Sequence, residues 1–264
     1  MITKRIIDEK GIDQTEDTVL VLGYFDGLHK GHQALFEKAR EIAAEQGLKI
    51  AVMTFPESPK LAFVRYQPEL MLHLASPEDR MAQLESLGVD YLYLIDFTSH
   101  FAGNTARDFF EKYVSRLRAK AVVAGFDYHF GSDRKESHEL RDYFNGKIVI
   151  VPSVNLDNRK ISSTRIRETI AVGDMLKTQE LLGYPLSTRG IVVHGNARGR
   201  TIGYPTANLA PLDRVLLPGD GVYVADVEHN GQRYRGMASV GKNVTFDGDE
   251  LRFEVNIFDF SQDI

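Results

Sequence analysis

The sequence predicts two folded parts in series: an α/β part on a parallel sheet, then a small antiparallel β part. Two observations carry this. Through the first two-thirds of the chain, short apolar runs alternate with amphipathic helical stretches, the pattern of parallel strands with helices on both faces. Beyond Gly183–Ser187 the helical periods vanish, glycine becomes dense and the runs turn β-like. The expected divisions are residues 1–183 and 188–264. The second is read as an antiparallel β-barrel.

The elements follow in order. Val19–Gly23 reads as a buried strand. The stretch from His32 to Gly47 reads as a helix, with Leu35, Ala39, Ile42 and Ala43 on one face and Glu37, Lys38, Glu41 and Glu45 largely off it. Lys49–Phe55 is the next strand. Ser76 followed by Pro77, Glu78 and Asp79 is a helix start, and Gly88 its stop. Tyr91–Phe97 is a strand, and Asn104 is placed to cap a helix running to about Leu117. Ala121–Ala124 is a strand, His138–Phe144 a short helix, Lys147–Val151 a strand, and Arg167–Val172 a helical run. In the β part, His229-Asn230-Gly231-Gln232 and Asp247-Gly248 are hairpin signals. Ligands of a parallel sheet bind beyond the carboxyl ends of its strands.

Composition narrows the function classes. The 264 residues are 43% hydrophobic and 26% charged, ordinary for a globular protein that can bury a core. A net charge of −5 does not suggest nucleic-acid binding, although a local site can still be basic. The absence of cysteine excludes disulfides, thiolate metal sites and cysteine nucleophiles. The N-terminus carries no apolar signal-peptide core, and no apolar run approaches the ~18 residues of a membrane span. The expectation is a cytoplasmic protein with small-molecule substrates and no membrane partner. Composition leaves its oligomeric state open.

The first candidate site is the run Gly23-Tyr24-Phe25-Asp26-Gly27-Leu28-His29-Lys30-Gly31-His32, between a strand and a helix. Glycines let the backbone turn sharply and approach a ligand closely. The helix start presents free N–H groups to an anion. His29 and His32, three apart, can face one side, donate to phosphate oxygens and stabilise charge as an α-phosphorus is attacked. Downstream, Ile161-Ser162-Ser163-Thr164-Arg165-Ile166-Arg167 opens another helix. Hydroxyls there are ordinary caps, but with arginines they also make a phosphate clamp. The second candidate site opens with Gly190–Arg200 (GIVVHGNARGR), followed by Gly203-Tyr204-Pro205-Thr206-Ala207-Asn208. Thr206 and Asn208 share a strand face, and their oxygens are hard ligands suited to Mg²⁺. In Leu251–Ile257 the apolar residues alternate with Arg252, Glu254 and Asn256, which puts Glu254 on the polar face as a candidate base.

HxGH after a strand, with ISSTxIR downstream, resembles the nucleotidyltransferase superfamily with its Rossmann-like sheet. GxFDGxHxGHQ, together with Gly125-Phe126-Asp127-Tyr128-His129-Phe130-Gly131, is similar to the bacterial bifunctional riboflavin kinase/FAD synthetase family over nearly the whole chain. The resemblance implies that Gly23, Phe25, Asp26, Gly27, His29, Gly31 and His32 surround the ATP phosphates. It implies that Ser163, Thr164 and Arg165 hold the triphosphate from the other side, with Arg167 a weaker candidate, and that Asp127 lies near the adenosine and flavin phosphate. GxPTAN from Gly203 to Asn208 resembles the riboflavin kinase domain. By that resemblance Thr206 and Asn208 position Mg²⁺–ATP, Gly195, Arg198, Gly199, Arg200, Gly203 and Pro205 surround its phosphates, and Glu254 takes the ribityl proton. The implied activities are phosphorylation of riboflavin to FMN and adenylylation of FMN to FAD, with Mg²⁺.

Three departures from the family pattern stand out. Ser58 replaces a histidine in T-F-x-P-H-P, Asn256 replaces one in E-x-H, and relatives continue several tens of residues beyond Ile264, so the kinase domain is expected to be truncated. Two rivals remain at this point. One is an HxGH enzyme acting on pantetheine phosphate or a polyol phosphate, which would not need a PTAN domain. The other is a flavin-binding storage or regulatory protein without turnover.

Overall fold

The computed structural model of the chain describes residues 1–195, 204–245 and 248–264. It divides into two compact units. The first comprises Met1–His73, Pro77–Ser163 and Leu181–Gly183; the second comprises Leu74–Ser76, Thr164–Glu180 and Tyr184–Ile264.

The first unit is built on six parallel strands: β1 (Ile2–Ile6), β2 (Thr18–Leu22), β3 (Lys49–Thr54), β4 (Tyr91–Ile95), β5 (Ala119–Gly125) and, after the two-stranded β6 (His129–Phe130) and β7 (Lys135–Glu136), β8 (Lys147–Val151). Their order is β1-β4-β3-β2-β5-β8. The chain thus winds to one side of β2 through β3 and β4, and to the other through β5 and β8. That reversal opens a crevice at the carboxyl ends of β2 and β5, where such sheets take ligands. A small hairpin, β9 (Asn155–Leu156) and β10 (Arg159–Lys160), follows β8.

Aliphatic runs make the central strands. Every residue of β2 is buried, as expected for a parallel strand covered on both faces. Alternation sends Leu20 and Leu22 into one core with Met53, Tyr93 and Phe101, and Val19 and Val21 into the other with Leu35, Phe36 and Ala39. The second core is closed by α1 (Lys30–Gln46), which buries Leu35, Phe36, Ala39 and Ile42. Ala43, expected on that face, lies at its margin. Gly47 ends the helix in the left-handed conformation at φ 65°. After α2 (Pro77–Ser86) come α3 (Ser99–Ala102) and α4 (Ala106–Phe109), the latter continued by a wider helical turn over Phe110–Val114.

Two local expectations need correction, and one strand was not expected. The helix expected from Asn104 is capped by Thr105, which forms a reciprocal capping box with Asp108. Asn104 instead donates its amide to the carbonyls of His100 and Phe101, closing α3. The expected helix at His138–Phe144 is a 3-10 turn over Ser137–Asp142. β1 went unread because ITKRI is mostly exposed at a sheet edge and shows no apolar run.

In the second unit, α5 (Ser163–Ala171, its first residue in the first unit) and α6 (Met175–Leu182, which ends in the first unit) precede an antiparallel sheet. Its strands are β11 (Gly190–Val193), β12 (Ala207–Pro211), β13 (Gly221–His229), β14 (Gln232–Thr245) and β15 (Gly248–Ile257), in the order β11-β12-β15-β14-β13. Asn230 and Gly231, at φ 50° and 75°, make the tight β13–β14 turn expected of an Asn-Gly pair. Asp247 of the other expected turn lies outside the described residues. Ala238, Val240, Phe253 and Val255 form the core on one face. Among the described residues the sheet does not close into a barrel, since the edge strands β11 and β13 do not pair.

Candidate active site

The crevice beyond β2 and β5 holds a cavity of about 430 Å³. Its lining comes from the carboxyl ends of four strands: Leu22–Asp26 after β2, Phe55 after β3, Gly125–His129 around the end of β5, and Val151–Val154 from β8. His29, Gly31 and His32 enter from the start of α1, and Lys160 to Ser163 from the approach to α5. The two sequence motifs, some 130 residues apart, therefore meet in one pocket.

The turn after β2 is tightly wound. Phe25 adopts the left-handed conformation at φ 58°, ψ 40°, as does Gly27 at φ 72°. The Phe25 ring folds back over Gly23, where an added Cβ would lie 2.7 Å from ring carbons. A side chain at this position would displace the ring. His29 then caps α1: its Nδ1 accepts the His32 backbone N–H at 3.3 Å. The helix accordingly starts two residues earlier than its apolar pattern indicated. An acceptor Nδ1 places the ring proton on Nε2, so His29 has one donor to offer a ligand. Gly31 leaves space for this ring; a Cβ there would sit 3.0 Å from it.

The imidazoles of His29 and His32 stack, with centroids 3.7 Å apart and planes 14° from parallel. The Phe25 ring meets His32 edge-on at 5.3 Å. Burial pushes the His29 pKa down to about 4, against a partial opposing effect of Asp26. Burial, followed by the charges of His29, Arg80 and Lys160, holds His32 well below its usual value. Both rings are therefore neutral at pH 7. The buried Nδ1 of His32 has no hydrogen-bond partner among the described residues.

Ser163, the first residue of α5, donates to the Asp26 carbonyl at 3.3 Å and ties the two motifs together. Thr164 and Arg165 follow on α5 in the second unit, the first exposed and the second buried. Asp127 is exposed and ion-pairs with Lys160, whose ammonium also lies 4.5 Å above the Phe126 ring. Sequence reasoning missed Lys160, although it directly precedes Ile161 in the motif. It also missed Arg80, which gives no motif signal because it sits in an otherwise ordinary amphipathic helix.

The β unit assembles its own group. Strand pairing sets Asn208 of β12 directly across from Glu254 of β15. The Thr206 hydroxyl lies 3.4 Å from a Glu254 oxygen. Arg252 donates to both Glu254 oxygens at 2.9 and 3.0 Å. Gly195 approaches so closely that a Cβ there would overlap the Asn208 amide. Residues nearly fifty positions apart in sequence thus converge. Arg198, Gly199, Arg200 and Gly203 lie outside the described residues. Pro205, with Tyr204 and Asn256, borders a second cavity of about 590 Å³.

Comparison with known proteins agrees with both halves. Residues 11–165 match the family model described as FAD synthetase, and residues 182–264 match the one described as riboflavin kinase. The chain belongs to the bifunctional riboflavin kinase/FMN adenylyltransferase family. It is 40% identical to the protein of that name from Listeria monocytogenes over 250 residues, which span 93% of this chain and 79% of the relative. It is 37% identical to the one from Bacillus subtilis over 258 residues, 96% of this chain and 81% of the relative. It is also similar to a crystal structure described as a macrolide-efflux protein from Streptococcus pneumoniae, at 58% identity and a TM-score of 0.96, covering all of this chain and 87% of the other.

Ser58 and Asn256, which stand where the family resemblance led to an expected histidine, both make local hydrogen bonds. Ser58 accepts the Lys60 N–H at 3.4 Å and caps the short helical turn Pro59–Ala62. Asn256 is buried and donates to the Pro205 carbonyl at 2.6 Å, fixing the segment that carries Thr206.

Proposed function

We propose that the chain makes both flavin cofactors: the β part (188–264) phosphorylates riboflavin to FMN with ATP, and the α/β part (1–183) joins AMP from ATP to FMN to give FAD and pyrophosphate. The observation that carries this reading is the stacked, buried pair His29–His32 at the start of α1, facing a pocket shared with Lys160, Asp127 and Ser163. The two family models supply the acceptors.

In FAD formation, an oxygen of the FMN phosphate attacks the α-phosphorus of ATP. The bond from that phosphorus to the bridging oxygen breaks, and its electron pair leaves on pyrophosphate. His29 donates through Nε2–H to a phosphoryl oxygen, and His32 through whichever ring nitrogen keeps its proton. Neutral donors buried at the start of α1 stabilise the charge that develops without reorganising. Gly23, Phe25, Asp26, Gly27 and Gly31 shape the turn around the phosphates. Lys160 offsets charge on the triphosphate and the Ser163 hydroxyl lines the same pocket; the family resemblance alone adds Thr164 and Arg165 to the clamp. By the family resemblance Asp127 lies near the adenosine and the flavin phosphate. No covalent intermediate with the protein is required.

In FMN formation, Glu254 accepts the proton of the ribityl hydroxyl as its oxygen attacks the γ-phosphorus and ADP departs. Gly195, Arg198, Gly199, Arg200, Gly203 and Pro205 enclose the ATP phosphates. Thr206 and Asn208 offer two oxygen donors beside a carboxylate, a set that fits Mg²⁺. Thr206 and Asn208 would be two of the ion's ligands, beside those that the ATP phosphates supply. Bound there, Mg²⁺ would neutralise phosphate charge.

The substrates are ATP and flavins, and the proposed location is the cytoplasm, without nucleic-acid or membrane partners. No helix among the described residues is long and apolar enough to cross a membrane. Incubating the protein with ATP, Mg²⁺ and either riboflavin or FMN, with chromatographic separation of the flavins, tests both assignments. FMN from riboflavin and FAD from FMN are expected. Folded protein that yields no FAD from FMN would refute the first-site reading, and no FMN from riboflavin the second.

A further inference from the structure

Arg80 lies on α2 with its guanidinium buried behind the phosphate turn. Its Nη1 donates to the Phe55 carbonyl at 2.9 Å. Its Nη2 donates to the Thr54 hydroxyl at 2.5 Å and to the Tyr24 carbonyl. The Thr54 hydroxyl donates to the same Tyr24 carbonyl at 2.8 Å. The guanidinium also lies 5.1 Å above the Tyr24 ring. That ring's hydroxyl is 3.2 Å from His73 Nδ1, and His73 Nε2 is 3.3 Å from Glu57. The Nε of Arg80 is buried without a partner among the described residues. Burying a guanidinium is costly, and an imperfectly satisfied one is a poor device for stability alone.

What the arginine holds is the strained part of the site. Two donors converge on the carbonyl of Tyr24. In a trans peptide the carbonyl and the next N–H point in opposite directions, so pinning Tyr24 C=O toward Arg80 turns the Phe25 N–H away from it. That N–H donates to no other described residue. Phe25 is itself in the left-handed region at φ 58°, a conformation that persists in a non-glycine residue only where its surroundings over-determine it. Tyr24 and Phe25 both line the cavity.

We infer that Arg80 is a positioning residue for adenylyl transfer: it locks the Tyr24–Phe25 peptide so that the Phe25 N–H is presented to a phosphate group of the bound nucleotide. The inference rests on the first-site reading above. It adds a residue that touches neither ATP nor flavin and acts through the backbone it fixes. Lysine cannot replace it, because a single ammonium cannot hold the Phe55 and Tyr24 carbonyls in one fork.

The test compares FAD formation from FMN and ATP by the unaltered chain, Arg80→Lys and Arg80→Met, with thermal unfolding of each. Misplacing one donor near the reacting phosphorus is expected to lower kcat by about 10-fold in Arg80→Lys and about 100-fold in Arg80→Met. The KM for FMN is expected to stay within about threefold, since the contact strengthens in the transition state. A merely structural arginine would lower the melting temperature and leave kcat of the folded enzyme unchanged at a lower assay temperature. A folded variant with kcat within about twofold of the unaltered chain overturns the inference and leaves the first-site reading intact. An unaltered chain that makes no FAD overturns both. If Arg80→Met fails to fold, Arg80→Lys, which keeps the charge and most of the volume, decides.

Discussion

Two imidazoles whose centres lie 3.7 Å apart can share a buried site only while at least one is uncharged. Burial enforces this, and it has a consequence for stability. The folded-state pKa values of His29 and His32 lie below those of the unfolded chain, so between pH 6.5 and about 4 the unfolded chain binds protons that the folded one refuses. Their stabilising contribution is complete above pH 6.5 and is lost as pH falls toward 4. For His29 alone the loss is on the order of 3 kcal/mol. Urea unfolding at a series of pH values should show stability falling over this window, and His29→Asn should flatten the fall. An unchanged slope in that variant would place the proton uptake elsewhere. Replacing both histidines with alanine should reduce FAD formation by at least about 10³-fold while leaving riboflavin phosphorylation at its original rate. Equal loss of both activities would contradict the division into two sites.

At the scale of elements, the site is a strand end, a turn and a helix start, each with its own reason. β2 is apolar because both its faces are covered; the turn is strained because the Phe25 ring folds over Gly23; α1 begins where His29 can cap it. Gly31→Ala tests the fit between the last two. Alanine favours the helix, but its Cβ would press on the His29 ring from 3.0 Å. The expected result is a protein at least as stable to heat, with FAD formation lowered about 10-fold. Unchanged activity would show that the His29 position tolerates a shift of a few tenths of an ångström. Much of this was legible in the sequence. Glycine and histidine spacing marked the turn, and aliphatic runs marked β2, β3, β5 and β8. Position-by-position contacts were not. Arg80 reaches the turn from a helix some fifty residues downstream, and β1 joins the sheet edge without an apolar pattern. Asn104 and Thr105 are both good caps, and only the break after α3 decides between them.

For the whole molecule, we assign two ATP-dependent reactions to two separate groups of residues. The pairing of β12 with β15 is what makes the second group, because it sets Asn208 opposite Glu254. Glu254→Gln keeps the shape and removes the base. It should lower FMN formation from riboflavin by about 10²-fold or more and leave FAD formation from supplied FMN unchanged. A fall in both would mean that the carboxylate supports the fold and not the chemistry of one site. The central claim, adenylyl transfer at the His29–His32 turn, is tested most directly by the fate of the ATP phosphates. With FMN as acceptor, ATP labelled at its α-phosphorus should place the label in FAD, and ATP labelled at its γ-phosphorus should place it in pyrophosphate. Label from the α-position that never enters a flavin, in protein shown to be folded, would contradict the account.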